Sequence, residues 1–224
     1  MGVVTMQQIG TSDTTLDFIT AEQAKALRPA TIVDFGAGGG KYGRLLREAL
    51  GDAPHITAVE GFQATAETLR QDANYNAVDN MLIREWFRVN TARRNLAIFG
   101  DVLEHLTRRE IFWTLRQAMH WFDEVIVVVP LFDVCQDTIY GNELETHRAF
   151  IDERYFDWLN PIEKHIVRTG THTMMSVRLN ASCKPKTLWT FSRHDFFRKL
   201  MTVLERIGLA KATWRALKRL GLIR

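Results

Sequence analysis

Asp34-Phe35-Gly36-Ala37-Gly38-Gly39-Gly40 is the segment best suited to holding a charged ligand. It continues a short β-branched run, Thr31-Ile32-Val33, and precedes a helical pattern. Glycines at such a junction let the backbone pass tightly beneath a ligand, and the following helix presents free N–H groups. Two ligand classes compete. Gly38-x-Gly40-x-x-Gly43 matches the dinucleotide pattern G-x-G-x-x-G, but counted from Gly36 the last position is Lys41, so the match begins late relative to the strand. The carboxylate of Asp34 points to the other class. It attracts the ammonium of an amino-acid-bearing cofactor and repels a pyrophosphate.

Three further positions carry chemistry. Glu60 closes the run His55–Glu60, 24 residues beyond Gly36. A carboxylate there is a two-oxygen acceptor for a diol, whereas alone it reads as a solvated residue or a helix cap. Phe99-Gly100-Asp101-Val102-Leu103-Glu104-His105-Leu106 ends a later apolar run. Gly141-Asn142-Glu143-Leu144-Glu145-Thr146-His147-Arg148 lies in a long loop-like stretch. His105 and His147 are the candidate general bases, with Asp101 and Glu104 as orienting carboxylates. The plainer readings are a helix cap at His105 and a solvated or substrate-touching side chain at His147. The sequence has no metal-ligand spacing, and no base pattern surrounds Cys135.

D-x-G-x-G-x-G after the first strand resembles motif I of the class I S-adenosylmethionine-dependent methyltransferases. Asp101-Val102-Leu103-Glu104-His105-Leu106 resembles a segment of many small-molecule members of that class. The likeness covers residues 20–130 well and 131–180 loosely. It implies S-adenosylmethionine as cofactor, with Gly36, Ala37, Gly38 and Gly40 beneath its methionine and ribose portions. Asp34 would meet the ammonium, and Glu60, followed by Gly61, would bridge the ribose hydroxyls. Phe62 would cover one adenine face. Leu82 stands where relatives often carry an acid, so backbone groups of Leu82 or Ile83 would meet adenine, with Leu82 packing on the ring. Asp101 and Val102 would approach the sulfonium, with His105 facing inward. His147 matches a G-N-x-x-E-x-H segment of some bacterial relatives. The implied reaction is O- or N-methylation of a small-molecule, sugar or lipid-linked glycan acceptor, in a bacterial cytoplasmic protein. A nicotinamide-dependent oxidoreductase and a non-catalytic cofactor-binding module of the same fold are the alternatives.

The elements that must position these residues follow from the hydrophobic pattern. Thr20 with Gln23 forms a capping-box pattern opening a helix to Leu27, after an irregular lead-in over 1–19. Strands are expected at Thr31–Phe35, His55–Glu60, Asn76–Val78, Asn95–Phe99 and Glu124–Val129, the last ended by Pro130. Helices are expected after the glycine turn, at Ala64–Asp72, from a Thr107/Glu110 capping box to Phe122, and at Asp152–Leu159. Lys164–Arg168 and Thr173–Leu179 read as two closing strands. Apolar strands alternating with helices make a doubly wound α/β domain. The expectation is a Rossmann-like, seven-stranded, mostly parallel sheet with an antiparallel final strand over residues 20–181. A helical C-terminal extension would occupy 182–224.

Composition agrees. The 224 residues are 46% hydrophobic and 25% charged, which excludes disordered and collagen-like classes. No apolar run approaches the length of a membrane span, and no signal peptide is legible. Two cysteines suit a reducing compartment. The net charge of +3 hides a division. Residues 182–224 hold 11 Lys/Arg against Asp195 and Glu205, a local +9, while the remainder holds 18 basic and 24 acidic residues, a net −6. The tail suits a packed helix pair with a solvated basic face, a peripheral membrane contact, or an acidic partner. It carries no specific nucleic-acid-binding motif.

Overall fold

The computed structural model describes residues 13–131, 143–170 and 172–183, together with Ala212 and Arg215. Expectations for residues 1–12, for Cys135, Gly141 and Asn142, and for nearly all of the basic tail lie outside the described residues. Ala212 and Arg215, within the expected last helix, are helical and exposed.

Seven strands form one sheet: β1 (Thr31–Phe35), β2 (His55–Val59), β3 (Ala77–Asp79), β4 (Arg94–Gly100), β5 (Phe122–Leu131), β6 (Glu163–Arg168) and β7 (Thr173–Asn180). Their spatial order is β3-β2-β1-β4-β5-β7-β6. The first five run parallel, and β7 is antiparallel to both its neighbours. The expected fold class is therefore present. The helices are α1 (Asp17–Leu27), α2 (Lys41–Leu50), α3 (Gln63–Leu69), α4 (Ile83–Val89) and α5 (Arg108–Trp121). Strand order reverses between β1 and β4, and ligands of such sheets bind outside the carboxyl ends of the strands at that point.

The strand alternation sorts the core into two layers. Val33, Phe35, Ala97, Phe99, Val125 and Val127 face one side, and Ile32, Ile56, Leu96, Ile98 and Ile126 face the other. On the first side Phe35 stacks on Phe99 at 4.7 Å and meets Trp86 edge-on at 5.0 Å. Each large apolar side chain so buried contributes about 1.5–3 kcal/mol. Arg178 of β7 ties Glu124 of β5 at 3.3 Å and also bonds Glu163 of β6, while Gln23 of α1 donates to Glu163 at 2.8 Å.

Several elements differ from expectation. Helix α1 begins at Asp17, not Thr20, and Leu16 before it is buried. The Thr20/Gln23 capping box does not form, because Thr20 is already inside the helix and its hydroxyl donates to the Leu16 carbonyl at 3.0 Å. The Thr107 box does form: Glu110 N–H donates to Thr107 Oγ1 at 3.4 Å, and Thr107 N–H donates to Glu110 Oε2 at 2.8 Å. Phe122 leaves α5 and opens β5 directly, and β5 continues through Pro130 to Leu131. Pairing with β4 ends at Val128, so at Pro130 the strand has a neighbour only in β7 and the missing N–H costs no bond to β4. Helix α4 was not expected from the sequence. Asp152–Leu159 is a series of turns with one 3-10 segment at Asp157–Leu159, since Asp152 Oδ1 accepts from Arg154 N–H at 2.9 Å and Asn160 turns left-handed at φ +52°.

Candidate active site

The glycine turn connects β1 to α2 and is built from residues in the left-handed region: Gly36 at φ +70°, Gly38 at +49° and Gly40 at +74°. Close approach adds to the backbone requirement. A Cβ on Gly36 would lie 2.3 Å from Val102 Cγ2, and one on Gly40 would lie 2.7 Å from Asp72 Oδ2. The turn is pinned to the end of β2, where the N–H groups of Gly36 and Ala37 donate to the Val59 carbonyl at 2.8 and 3.3 Å. Glu60, buried just beyond β2, accepts from Gly38 N–H at 3.0 Å with one oxygen and from Phe62 N–H at 2.7 Å with the other. Its carboxylate thereby joins the turn to the segment after β2.

Asp34 lies one residue before the end of β1 and is almost wholly buried beneath the turn. Its Oδ2 accepts from the Tyr75 hydroxyl at 2.6 Å, and that hydroxyl accepts from Gly43 N–H at 3.1 Å. Its Oδ1 has no hydrogen-bond partner among the described residues. Burial, helped by the charge of Glu60, pushes the carboxyl up to about 7, against the lowering effects of Tyr75 and Lys41. The Tyr42 ring packs on Gly100, where a Cβ would sit 1.8 Å from the ring. The buried Tyr42 hydroxyl also has no hydrogen-bond partner among the described residues. Burial, followed by the charges of Asp101, Asp17, Asp34 and Glu104, raises it well above the ordinary phenol range, so it remains a donor. Neither tyrosine stands out by spacing in the sequence, and the Tyr75 hydroxyl meets the Asp34 carboxylate only through the fold.

Gly61, Phe62, Leu82 and Ile83, the positions the resemblance assigns to adenine, lie at or just before the starts of α3 and α4. A Cβ on Gly61 would lie 2.8 Å from Leu82 and 3.1 Å from Leu144, so those two exposed leucines converge on Gly61. Phe62 is half-buried at the start of α3. Leu82 caps α4, and its N–H donates to Glu85 at 3.1 Å, so any adenine contact by that N–H competes with Glu85. Ile83 opens α4 and packs against the core.

At the end of β4, Asp101 adopts φ +51°, and its N–H donates to the Val128 carbonyl at 2.9 Å. A non-glycine residue there costs of order 1–3 kcal/mol, and such strain concentrates at functional sites. Leu103–His105 form a 3-10 turn, with Leu103 and Glu104 buried. The Glu104 carbonyl accepts from the N–H groups of Arg148 at 2.7 Å and Ala149 at 3.0 Å. That joint brings His147 to His105, their rings 4.9 Å apart and 68° inclined. Ligand atoms of Glu104, His105 and His147 all lie within 4.8 Å of one another. The two histidines singled out in the sequence thus form one cluster with Glu104.

No family model matches the chain, and no curated protein matches it. Solved structures do resemble it in shape. The N-terminal domain of EvdMO1, crystallised with SAH and D-fucose, superposes with a TM-score of 0.55 at 14% identity, covering 77% of this chain and 85% of that one. The plantazolicin methyltransferase BpumL, in complex with SAH, gives 0.56 at 10% identity over 74% and 82%. The methyltransferase domain of bacterial-CtHen1-CN gives 0.52 at 17% identity over 74% and 98%. The fold is that of the class I methyltransferases. In this methyltransferase fold the ends of β1, β2 and β4 carry Asp34, Glu60 and Asp101 around the glycine turn.

Proposed function

We propose that the chain binds S-adenosylmethionine and transfers its methyl group to a small-molecule acceptor, with a sugar or lipid-linked glycan as the favoured class. The carrying observation is the placement of three acids at three adjacent strand ends around a left-handed glycine turn. Fold neighbours solved with SAH support the cofactor, and the one solved with D-fucose as well is in keeping with a sugar acceptor.

The residues fit such a cofactor. A Cβ on Gly38 would meet only the Gly36 carbonyl, at 3.9 Å, so the turn is open there, and Asp34 Oδ1 is a buried acceptor that could take a donor such as an ammonium. Glu60 would exchange its bonds to Gly38 and Phe62 for ribose hydroxyls. Gly61, Phe62, Leu82 and Ile83 would border the adenine, with Ala37, Asp101 and Val102 nearer the reacting end. When bound, the cofactor supplies a methyl group on a sulfonium, so positioning accounts for much of the catalysis. His105 and His147 are close enough together for one to receive an acceptor proton while the other orients it, with Glu104 beside them.

Calorimetry with S-adenosylhomocysteine and with NADH tests this reading. Binding of S-adenosylhomocysteine alone is expected, weakened about tenfold or more in Glu60→Ala, which loses a charged hydrogen-bond acceptor. Binding of NADH alone would establish the oxidoreductase alternative instead. None of the candidate site residues lies in the basic tail, which is left to a packed helix pair with a solvated basic face, an anionic membrane surface or an acidic partner.

A further inference from the structure

We propose that Glu104, His105 and His147 bind one divalent transition-metal ion, which takes a hydroxyl oxygen of the acceptor as a further ligand. The second clause rests on the methyl-transfer reading; the first does not. Each of the three residues offers one ligand atom, and these atoms all lie within 4.8 Å of one another. Two donors at about 2.0–2.2 Å from a common ion stand no more than about 4.4 Å apart. Small side-chain rotations therefore close the set.

The donor types are informative. Two imidazoles and one carboxylate suit zinc, manganese, cobalt or iron better than calcium or magnesium. Three protein ligands also leave coordination positions open, as in catalytic rather than structural sites. Glu104 is only 3% exposed, so a carboxylate ligand there would be shielded from water on one side of the ion. The histidines are half-buried, so the cluster is deep on the Glu104 side and open on the other.

The backbone holds the ligands in advance. Glu104 and His105 are consecutive in a 3-10 turn anchored by the wholly buried Leu103. His147 comes from a distant part of the chain, and the residue after it is hydrogen-bonded to the Glu104 carbonyl. The third ligand is thus fastened to the main chain of the first. The cluster also follows directly on Asp101, at the strand end beside the glycine turn.

An ion here would alter the role of the histidines. A ligating imidazole has no lone pair left to act as a base. The ion would instead polarise the acceptor hydroxyl, as it does a bound water. The O–H bond would break with its electron pair left on oxygen and the proton passing to solvent water; an oxygen pair would form the O–CH₃ bond as the S–CH₃ bond breaks, its pair returning to sulfur to leave S-adenosylhomocysteine. The acceptor class narrows to molecules with an accessible hydroxyl, which includes sugars.

The test is a titration of the full-length, chelator-stripped protein with Co²⁺ followed by visible absorption, and with Zn²⁺ and Mn²⁺ by calorimetry. The same titrations are run on His105→Ala, His147→Ala, His147→Gln and Glu104→Gln, with S-adenosylhomocysteine binding measured alongside. One ion per chain is expected for the wild type, with affinity reduced about tenfold or more in every variant and S-adenosylhomocysteine affinity unchanged. The proposal is overturned if none of the three ions binds the wild type at one per chain. It is equally overturned if His147→Gln and Glu104→Gln bind as tightly as the wild type. Ion binding without S-adenosylhomocysteine binding would remove the methyl-transfer reading and leave the metal site standing.

Discussion

Asp34 shows how one residue couples binding to protonation. Its carboxyl is raised from an ordinary value of 3.8 to about 7, so the folded state holds its proton more tightly than the unfolded chain does. The contribution to folding is fully present below pH 4, falls as pH rises from 4 to 7, and is gone above 7. The loss amounts to at most roughly 4 kcal/mol. Thermal melts at pH 5 and pH 8 are expected to show the stability of Asp34→Asn relative to the wild type increasing towards the higher pH. A cofactor ammonium reverses the preference, because it favours the ionised carboxylate. Wild-type affinity for S-adenosylhomocysteine should therefore rise between pH 5.5 and 7.5, with proton release seen as buffer-dependent heat, and Asp34→Asn should flatten the profile. The residue itself was legible from its place before the glycines. Its bond to Tyr75 was not, because a partner 41 residues away leaves no local pattern.

At the scale of elements, the sheet was the more legible half. β-branched and apolar runs mark strands buried on both faces, and β1 falls on the expected residues. Helix α4 escaped because its seven residues give barely two turns of periodicity and carry charge beside Trp86 and Phe87. Yet Trp86 is one of the largest buried side chains, bonded through its indole N–H to Asp79 at 2.8 Å. Trp86→Ala is expected to cost about 3–5 kcal/mol in chemical denaturation. Thr107→Ala, which removes one cap, should cost about 1 kcal/mol. A smaller loss in the first than in the second would contradict the packing described. The His105–His147 pairing was hidden for a different reason. It depends on a loop returning across the strand ends, and no spacing rule encodes that contact.

For the whole molecule, charge divides the sequence into an acidic body and a basic tail. The described α/β body carries the acids of the site, and the basic excess follows Ser182. No helix among the described residues is long and apolar enough to cross a membrane. If the tail meets an anionic surface, the full chain should co-sediment with vesicles containing phosphatidylserine and not with neutral phosphatidylcholine vesicles. That binding should fall as salt is raised from 50 to 500 mM, since screening shortens the reach of charge to a few ångströms. Equal sedimentation with both vesicle types would remove electrostatics as the cause.

The joint at Glu104 has a consequence for how such a protein can change. It consists of one carbonyl and two N–H groups, so it does not depend on the side chain of exposed Arg148, whereas Ala149 is buried in the core. Between the two histidines run α5 and β5, whose side chains fill the core, so that part of the chain is held by packing. Arg148 is exposed, and its side chain can vary while the main-chain joint keeps His105 and His147 together. Variation beside the cluster is thereby confined to positions whose side chains face solvent.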